Sequence, residues 1–552
     1  MRTPTQVKTM ALAALCLIAA TPISAQTLWY VDDDAPGDPG PGDPAISDPL
    51  ENGTPGHPFD AIQEGVNAAA NGDTVLVLDG TYTGVGNRDI SFGGRLVTVR
   101  SESGPENCVV DLAGASYSRA FLFQSGETEG AVLDGLAITG GWHMQSGTGI
   151  FVYGAAPMVK GCVFSGNYSF WGGGATYVGS GSAFPTTFVN CRFLNNSGGS
   201  SSWGGAAWVE GGSAVFVQCL FIGNSARHGG ALYVTHGTVA LTHCEFRQNT
   251  AIAEGGAISF GRLGGEYPTL TNCTFIGNIA GSGGGGIAVW DLQSGGVHVV
   301  WLRNCTFAGN EASAGRSLAA NTAWADYFVY NSILWEPDAV LCSGGAGFYC
   351  YYSDVQGYGG GTNIDEDPEY VDPSSGNYRL GPSSPCIDAA NTAELPPDTY
   401  DLDGDGDTSE PIPMDLDREP RTVDDPNTTD TGVGFPCVDM GAYELQPGAS
   451  GVGLLPGESS PIRIWSAAPN PVLTQMTIAF SVASGEIATV AVFDMLGRRV
   501  AALTDAAVLP GGLRQLTWDG RTSGGRPAPA GVYLIQLRTS HGTDSRVIRL
   551  LR

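Results

Sequence analysis

The chain has 552 residues, with 55 acidic side chains against 26 Lys and Arg, a net charge of −29, and 81 glycines. So acidic a chain argues against nucleic acid or an anionic membrane as partner, because neutralising phosphate needs Lys and Arg; cation binding or plain solubility suits it better. The length calls for several folding units rather than one core.

Residues 1–25 have the pattern of a secretory signal peptide. Arg2 and Lys8 give a positive start, Met10 to Ala20 an apolar run, and Ile23-Ser24-Ala25 a small-residue cleavage site. Leu15 is too large to precede a lipidated Cys16, so cleavage after Ala25 is expected. No later apolar stretch is long enough for a membrane span. The expected product is exported, at the outer surface of a bacterium or released from it. Residues 26–72 read as an N-terminal loop and helical cap. Trp29-Tyr30-Val31 leads into a Pro/Gly/Asp-rich loop, and 59–69 place apolar residues at helical spacing, ending near Gly72. Such a helix would cover the open end of a stack of strands, which otherwise templates aggregation. Thr74-Val75-Leu76-Val77-Leu78 then begins the first coil of a solenoid expected over 73–335. This opening resembles the start of many secreted β-helix proteins.

Six copies of Cys-x-Phe-x-x-Asn follow, beginning at Cys162, Cys191, Cys219, Cys244, Cys273 and Cys305, 25 to 32 residues apart. Cys and Phe two apart share one face of an extended segment. Between copies a glycine pair, such as Gly204-Gly205 or Gly229-Gly230, supplies a tight corner before another short strand. No helical periodicity with caps interrupts 140–335. One coil per repeat, stacked at about 4.8 Å, gives an all-β, right-handed single-stranded parallel β-helix of the pectin-lyase-like kind. Cys and Phe would form interior stacks and Asn a hydrogen-bonded ladder. A propeller blade, at about 40 residues, is too long for this repeat. The pattern resembles the right-handed β-helix repeat proteins of bacterial envelopes. Gly-Gly-Ala-Ile with Phe-x-x-Asn also resembles the passenger repeats of chlamydial polymorphic outer-membrane proteins over about 140–335, although no outer-membrane barrel is visible after it.

From Asn331-Ser332-Ile333-Leu334-Trp335 the repeat degenerates. Residues 336–447 read as an acidic C-terminal part of the β-helix, whose strings Ser384-Pro385-Cys386-Ile387-Asp388 and Asp439-Met440-Gly441-Ala442-Tyr443-Glu444 resemble the C-terminal block of bacterial surface β-helix proteins. A Gly/Ser/Pro linker covers 448–462. Alternating strands in 463–552, among them Ala488-Thr489-Val490-Ala491-Val492-Phe493-Asp494 and Gly531-Val532-Tyr533-Leu534-Ile535, predict a small Ig-like β-sandwich. These strings resemble type IX-like sorting domains and the Ig-like domain of the flagellar hook cap protein. The sorting resemblance implies recognition by an outer-membrane secretion machinery and surface attachment; a plain spacer domain is the other reading.

The sharpest chemical motif is Asp401-Leu402-Asp403-Gly404-Asp405-Gly406-Asp407. Alternating carboxylates with glycine at the sixth position begin a calcium loop, so Asp401, Asp403, Asp405 and Asp407 are the candidate Ca²⁺ ligands, with a structural role. Position 12 is Ile412 rather than Glu; Glu410, Asp415 or Asp417 would have to complete the shell. A solvated acidic loop is the bland alternative. His228, His236 and His243 read as strand or turn residues rather than zinc ligands. Cys342/Cys350 and Cys386/Cys437 are pairs that export would allow to form disulfides, though spacing cannot fix connectivity.

Pectate lyases, polygalacturonases and related polysaccharide enzymes share this fold, but the sequence offers no catalytic constellation. Lys160 is the only lysine after the signal, the acids of 141–335 are scattered, and Arg192, Arg247 and Arg303 sit in or beside the repeat motif. Tyr168, Phe170, Trp171, Tyr177, Trp203, Trp208, Tyr233 and Trp290 recur near the glycine corners, either as interior stacks or as a face on which sugars stack. The expectation is a non-catalytic, adhesin-like or glycan-binding surface protein. A polysaccharide lyase or hydrolase is the alternative, and a structural envelope protein the third reading.

Overall fold

The computed structural model describes residues 26–33, 50–446 and the strands within 463–550, apart from 116, 264–266, 291–297, 321–324, 344–345 and several turns of the last region. The signal segment 1–25 and the linker 448–462 lie outside the described residues.

A parallel β-helix occupies 28–355. Three long parallel sheets run its length, with twelve, eleven and ten strands, and a six-stranded sheet of two-residue strands forms a corner. In each coil the chain passes from the twelve-stranded sheet to the eleven-stranded sheet that carries the Phe of the repeat, through the corner, and into the ten-stranded sheet. Thr186–Val189, Arg192–Leu194, Ser197–Gly198 and Ala207–Glu210 are one such circuit. The pairing is in register: Phe193 lies beside Phe164 and Phe221.

That register stacks like on like. Phe164, Phe193, Phe221, Phe246, Phe275 and Phe307 are fully buried, with successive ring centroids 4.4–5.0 Å apart and their planes nearly parallel. The six repeat cysteines are buried free thiols whose Sγ atoms lean on carbonyl oxygens, as Cys219 does on Phe188 at 3.5 Å. Each ladder asparagine uses its whole amide. Asn224 Nδ2 donates to Asn249 Oδ1 (2.9 Å) and to the Phe193 carbonyl (2.9 Å), and its Oδ1 accepts from Asn196 Nδ2 and N. A buried amide satisfied on every side costs little and fixes register. Glu336 closes the ladder: its carboxylate accepts from Asn310 N (2.9 Å) and Nδ2 (2.6 Å) and from the Ser317 hydroxyl. Burial pushes its pKa up to about 7 against those bonds.

Two backbone devices turn the coils. Gly204 holds φ +65°, and a Cβ on the following Gly205 would collide with the Gly230 carbonyl oxygen, so the corner admits only glycine. A left-handed residue also directly precedes each repeat cysteine or its replacement: Gly161, Asn190, Gln218, His243, Asn272, Asn304, Asn331 and Tyr352, all with φ 49–61°. Asparagine tolerates this conformation better than other non-glycine residues, which accounts for its frequency in the row.

The helix Ile62–Ala68 covers the first coil, burying Ile62, Gly65 and Val66; a Cβ on Gly65 would meet Val75 and Val31. The solenoid begins before it, because Leu28–Val31 pairs in register with Thr74–Val77. At the other end, strands continue to Gly347–Tyr351 and Asp354–Val355, inside the stretch read as the acidic C-terminal part of the β-helix. The remainder, to 446, does not extend the stack; it turns back and lies along its side. In 463–550 a three-stranded and a four-stranded antiparallel sheet enclose a core of Met476, Ile478, Trp518, Val490, Val492, Ile535 and Leu537.

Candidate functional site

The returning segment lies as a strap over the row of left-handed turn residues. Arg418 donates to Gln218 Oε1 (3.0 Å), His243 Nε2 to the Asp415 carbonyl (2.7 Å), and Asn272 Nδ2 to the Met414 carbonyl (2.9 Å). Asn331 and Asn391 exchange two bonds of 2.9 Å. Burial lowers the His243 pKa to about 4, so the ring is neutral and structural. Arg421, fully buried, donates to the carbonyls of Asp439 (2.9 Å) and Gly441 (2.7 Å) and lies 3.6 Å from the Glu444 carboxylate. The Asn304 side-chain oxygen, turned toward it, accepts at 2.6 and 3.0 Å. One guanidinium therefore ties the strap to the solenoid. Around it, burial raises Asp415 and Asp439 to about 7 and pushes Glu444 well above the usual carboxylate range.

The strap carries the carboxylate loop. Ligand-capable oxygens of Asp401, Asp403 and Asp405 lie within 4.8 Å of one another, and Asp403 belongs equally to a second group with Asp398 and Glu410. Asp401 Oδ1 accepts from Gly406 N (3.0 Å), the tight turn expected of the glycine at position six. Asp398 is 1% exposed, and its Oδ1 and Glu410 Oε1 are buried without hydrogen-bond partners. Burial and then the neighbouring acids raise the Asp398 pKa against its bond from Leu402 N. Orphaned carboxylate oxygens beside three more carboxylates, all hard donors, fit a Ca²⁺ ion. Asp407 stands outside both groups: its Oδ1 accepts from Ser409 N and Oγ (2.9 and 2.6 Å), bonds that lower its pKa. Of the residues considered for the rest of the shell, Glu410 is in place. Asp415 instead accepts from Glu444 N, and Asp417 pairs with Arg379. A further group, Asp388, Asp424 and Asp430, had no local motif to announce it; Asp388 is fully buried, its Oδ1 unpartnered and its pKa raised to about 6 by burial.

Beside the loop, a cavity of about 120 Å³ opens between the strap and the outer face of the twelve-stranded sheet, lined by Thr242, Thr269, Thr271, Arg303, Asp398 and Tyr400 among others. Two outward rows start there. Thr269, Trp301, Phe328 and Tyr349 occupy one register position, and Thr271, Arg303, Tyr330 and Tyr351 the position two residues on. Trp301, Phe328 and Tyr349 stack at 4.6 and 4.8 Å, Tyr330 and Tyr351 at 5.2 Å, and the Arg303 guanidinium lies 4.9 Å from the Trp301 ring. Rings stacked at strand spacing spend their faces on each other. Tyr349 and Tyr351, 43% and 41% exposed on the last strand of the sheet, each keep one face free of a following strand.

The aromatics singled out from sequence divide differently. Trp208 and Tyr233 point outward from the ten-stranded sheet yet are only 9% exposed, packed against Trp203. Trp171 and Trp203 stack at 6.2 Å, and Tyr177 donates to Glu210 (2.9 Å). His228 stacks on Trp290 and pairs with Glu254 at 2.7 Å. Apart from Trp171, which is 45% exposed, these rings are neither interior stacks nor an open platform. Of the arginines, Arg192 pairs with Glu106, Arg247 with Glu245, and Arg303 alone of the three lines the cavity. Cys342, Cys350, Cys386 and Cys437 are all free thiols, which corrects both disulfide pairings; Cys386 Sγ leans instead on Asp354 (3.4 Å).

No helix among the described residues is long and apolar enough to cross a membrane. No curated protein matches the chain in sequence. Among solved structures, the chain is similar to pectate lyase Pel9A, at 14% identity and a TM-score of 0.41, with 77% of this chain and 98% of that one covered. A rhamnogalacturonan lyase follows at 10% identity and 0.35, covering 62% and 90%. The family described as right handed beta helix region matches residues 115–261 and 146–354, the stretch that holds the stacked Phe and Asn ladders, so this part of the chain is a right-handed β-helix region.

Proposed function

We propose that this is a secreted, surface-associated β-helix protein that binds a glycan without transforming it. The observation that carries the reading is the pair of aromatic rows on the twelve-stranded sheet, running from the Arg303 cavity to the exposed Tyr349 and Tyr351. Ring faces and threonine hydroxyls suit the apolar faces and hydroxyl edges of sugars, and a guanidinium suits a uronate carboxylate. Ca²⁺ held by Asp401, Asp403 and Asp405, completed by Asp398 and Glu410, would fix the strap that walls the cavity. The two antiparallel sheets of 463–550 serve in this reading as an Ig-like export or anchoring domain, addressed by a secretion machinery.

The polysaccharide lyase or hydrolase reading draws on the fact that Arg303 and Asp398 line one cavity. Chemistry weighs against it. A guanidinium stays protonated at neutral pH and is a poor base, and a hydrolase needs carboxylates on opposite sides of the scissile bond, whereas Asp398 and Glu410 converge on one point.

The test is titration of the full chain against polyuronates and neutral glycans, with Ca²⁺ and with chelator, following bound glycan, reducing ends and unsaturated product together. Binding without turnover is expected. Tyr349→Ala and Tyr351→Ala are each expected to weaken it by about 1 kcal/mol, the scale of one aromatic contact. Turnover of any glycan would sink the non-catalytic reading.

A further inference from the structure

A second carboxylate convergence lies at the opposite end of the solenoid. Glu51 comes from the loop beside the first strand, Asp60 from the residue before the helix N-cap, and Glu64 from the first turn of the helix Ile62–Ala68. One oxygen from each lies within 4.8 Å of the other two. The position of a carboxylate at a helix N-terminus is unremarkable by itself, since the helix field favours one negative charge there. Three are more than that field compensates.

The independent observation is Asp60. It is only 8% exposed, its Oδ1 is buried without a hydrogen-bond partner, and its carboxylate converges with the other two. Glu64 Oε2 is likewise buried without a partner. A buried carboxylate oxygen without a partner is costly, and two such oxygens, on Asp60 and Glu64, beside a third carboxylate cost more. The sequence brings little local compensation: between Lys8 and Arg88 there is no lysine or arginine. Burial first, and then Asp60 and Glu51, raise the Glu64 pKa to about 8 against a backbone bond at Ala61.

We propose that Glu51, Asp60 and Glu64 form a second divalent-cation site of the Ca²⁺ class, which clamps the N-terminal cap to the solenoid. The donor set is entirely hard oxygen. Ca²⁺–oxygen distances of about 2.3–2.6 Å place two ligand oxygens up to roughly 5 Å apart, which accommodates the observed separation. Bound there, the ion joins the 50–60 loop, which hydrogen-bonds to the first strand through Tyr30 N to Gly53 O and Phe59 N to Tyr30 O, to the helix that covers the first coil. Metal binding thereby protects the strand edge at this end of the stack. The site is separate in chain and in space from the loop at Asp401, so it stands or falls without the glycan reading.

The experiment is calorimetric titration of the full chain with CaCl₂ after chelation, comparing wild type with Asp60→Asn and Glu64→Gln, alongside Tb³⁺ luminescence excited through tryptophan. Trp29 stacks on Phe59, the neighbour of Asp60, and is a local sensitiser. Each variant is expected to bind one equivalent of Ca²⁺ fewer and to lose the Trp29-sensitised emission, while Asp403→Asn retains that emission. If Asp60→Asn misfolds by circular dichroism, Glu51→Gln replaces it. Unchanged stoichiometry in a folded variant overturns the proposal. So does a Glu64→Gln variant that is more heat-stable than wild type in chelator yet equally responsive to Ca²⁺, because the cluster then holds shared protons instead.

Discussion

Glu336 does at one end of the asparagine ladder what no further asparagine is placed to do. It accepts the two bonds, from Asn310 N and Nδ2, that the other ladder asparagines give to the next asparagine, and it carries a charge into a 3% exposed site. Its pKa rises from 4.5 to about 7 because burial penalises the carboxylate. A raised folded-state pKa means that the folded chain binds the extra proton. The stabilisation is therefore complete below about pH 4.5 and is lost as the pH climbs through about 7. Glu336→Gln keeps an acceptor for Asn310 and offers Ser317 a donor without the charge. It is expected to flatten that part of the pH–stability profile and to gain on the order of 2 kcal/mol at pH 8, measured by chemical denaturation. The repeat predicted an asparagine ladder, and its termination by an acid was not legible. A lone Glu after Trp335 gives no signal until the coil brings it under Asn310.

Within the solenoid each element depends on the coil above and the coil below. Phe221 lies between Phe193 and Phe246, each 4.6 Å away, in an interior with no room to relax. Phe221→Ala is expected to cost about 3–5 kcal/mol, and Phe221→Leu clearly less, read from denaturation midpoints. The strap is held differently, by polar bonds to a row of turn residues centred on one buried arginine. Arg421→Ala removes the donor to the Asp439 and Gly441 carbonyls and leaves Glu444 buried without its counter-charge. The expected loss is about 3–5 kcal/mol. It should appear first as faster proteolysis within 396–412, with the stacked coils still resistant. The sequence read 336–447 as more solenoid. The strings in it pointed to a block with its own identity, but they say nothing of direction, and the return path follows from contacts such as His243 with Asp415 that no local pattern encodes.

The whole chain carries a net charge of −29, and its acids are concentrated in the strap, where Asp398, Asp388 and their neighbours converge with oxygens unpaired. Self-repulsion of that kind weakens the compact state unless a cation offsets it. Chelation is accordingly expected to lower the unfolding temperature. Ca²⁺ at a hundredfold excess over its dissociation constant is expected to restore about 3 kcal/mol. Asp403→Asn, which touches both carboxylate groups of the loop, is expected to abolish most of that difference in a calorimetric scan.

The sequence by itself determined the period, the stacking residues and the glycine corners. Those depend on interactions between equivalent positions of adjacent coils, and a repeat writes the same residue at each. It also marked Asp401, Asp403 and Asp405, because carboxylates that alternate over five consecutive residues converge locally. Only the tertiary structure decided that Asp407 stands apart from Asp401, Asp403 and Asp405 while Asp403 also converges with Asp398 and Glu410, and that the strap walls a cavity against Arg303. It alone brought Glu51 to Asp60 and Glu64, and Asp388 to Asp424 and Asp430. In each case the partners lie on segments whose meeting is set by where the chain turns back, and neither periodicity nor local spacing records that.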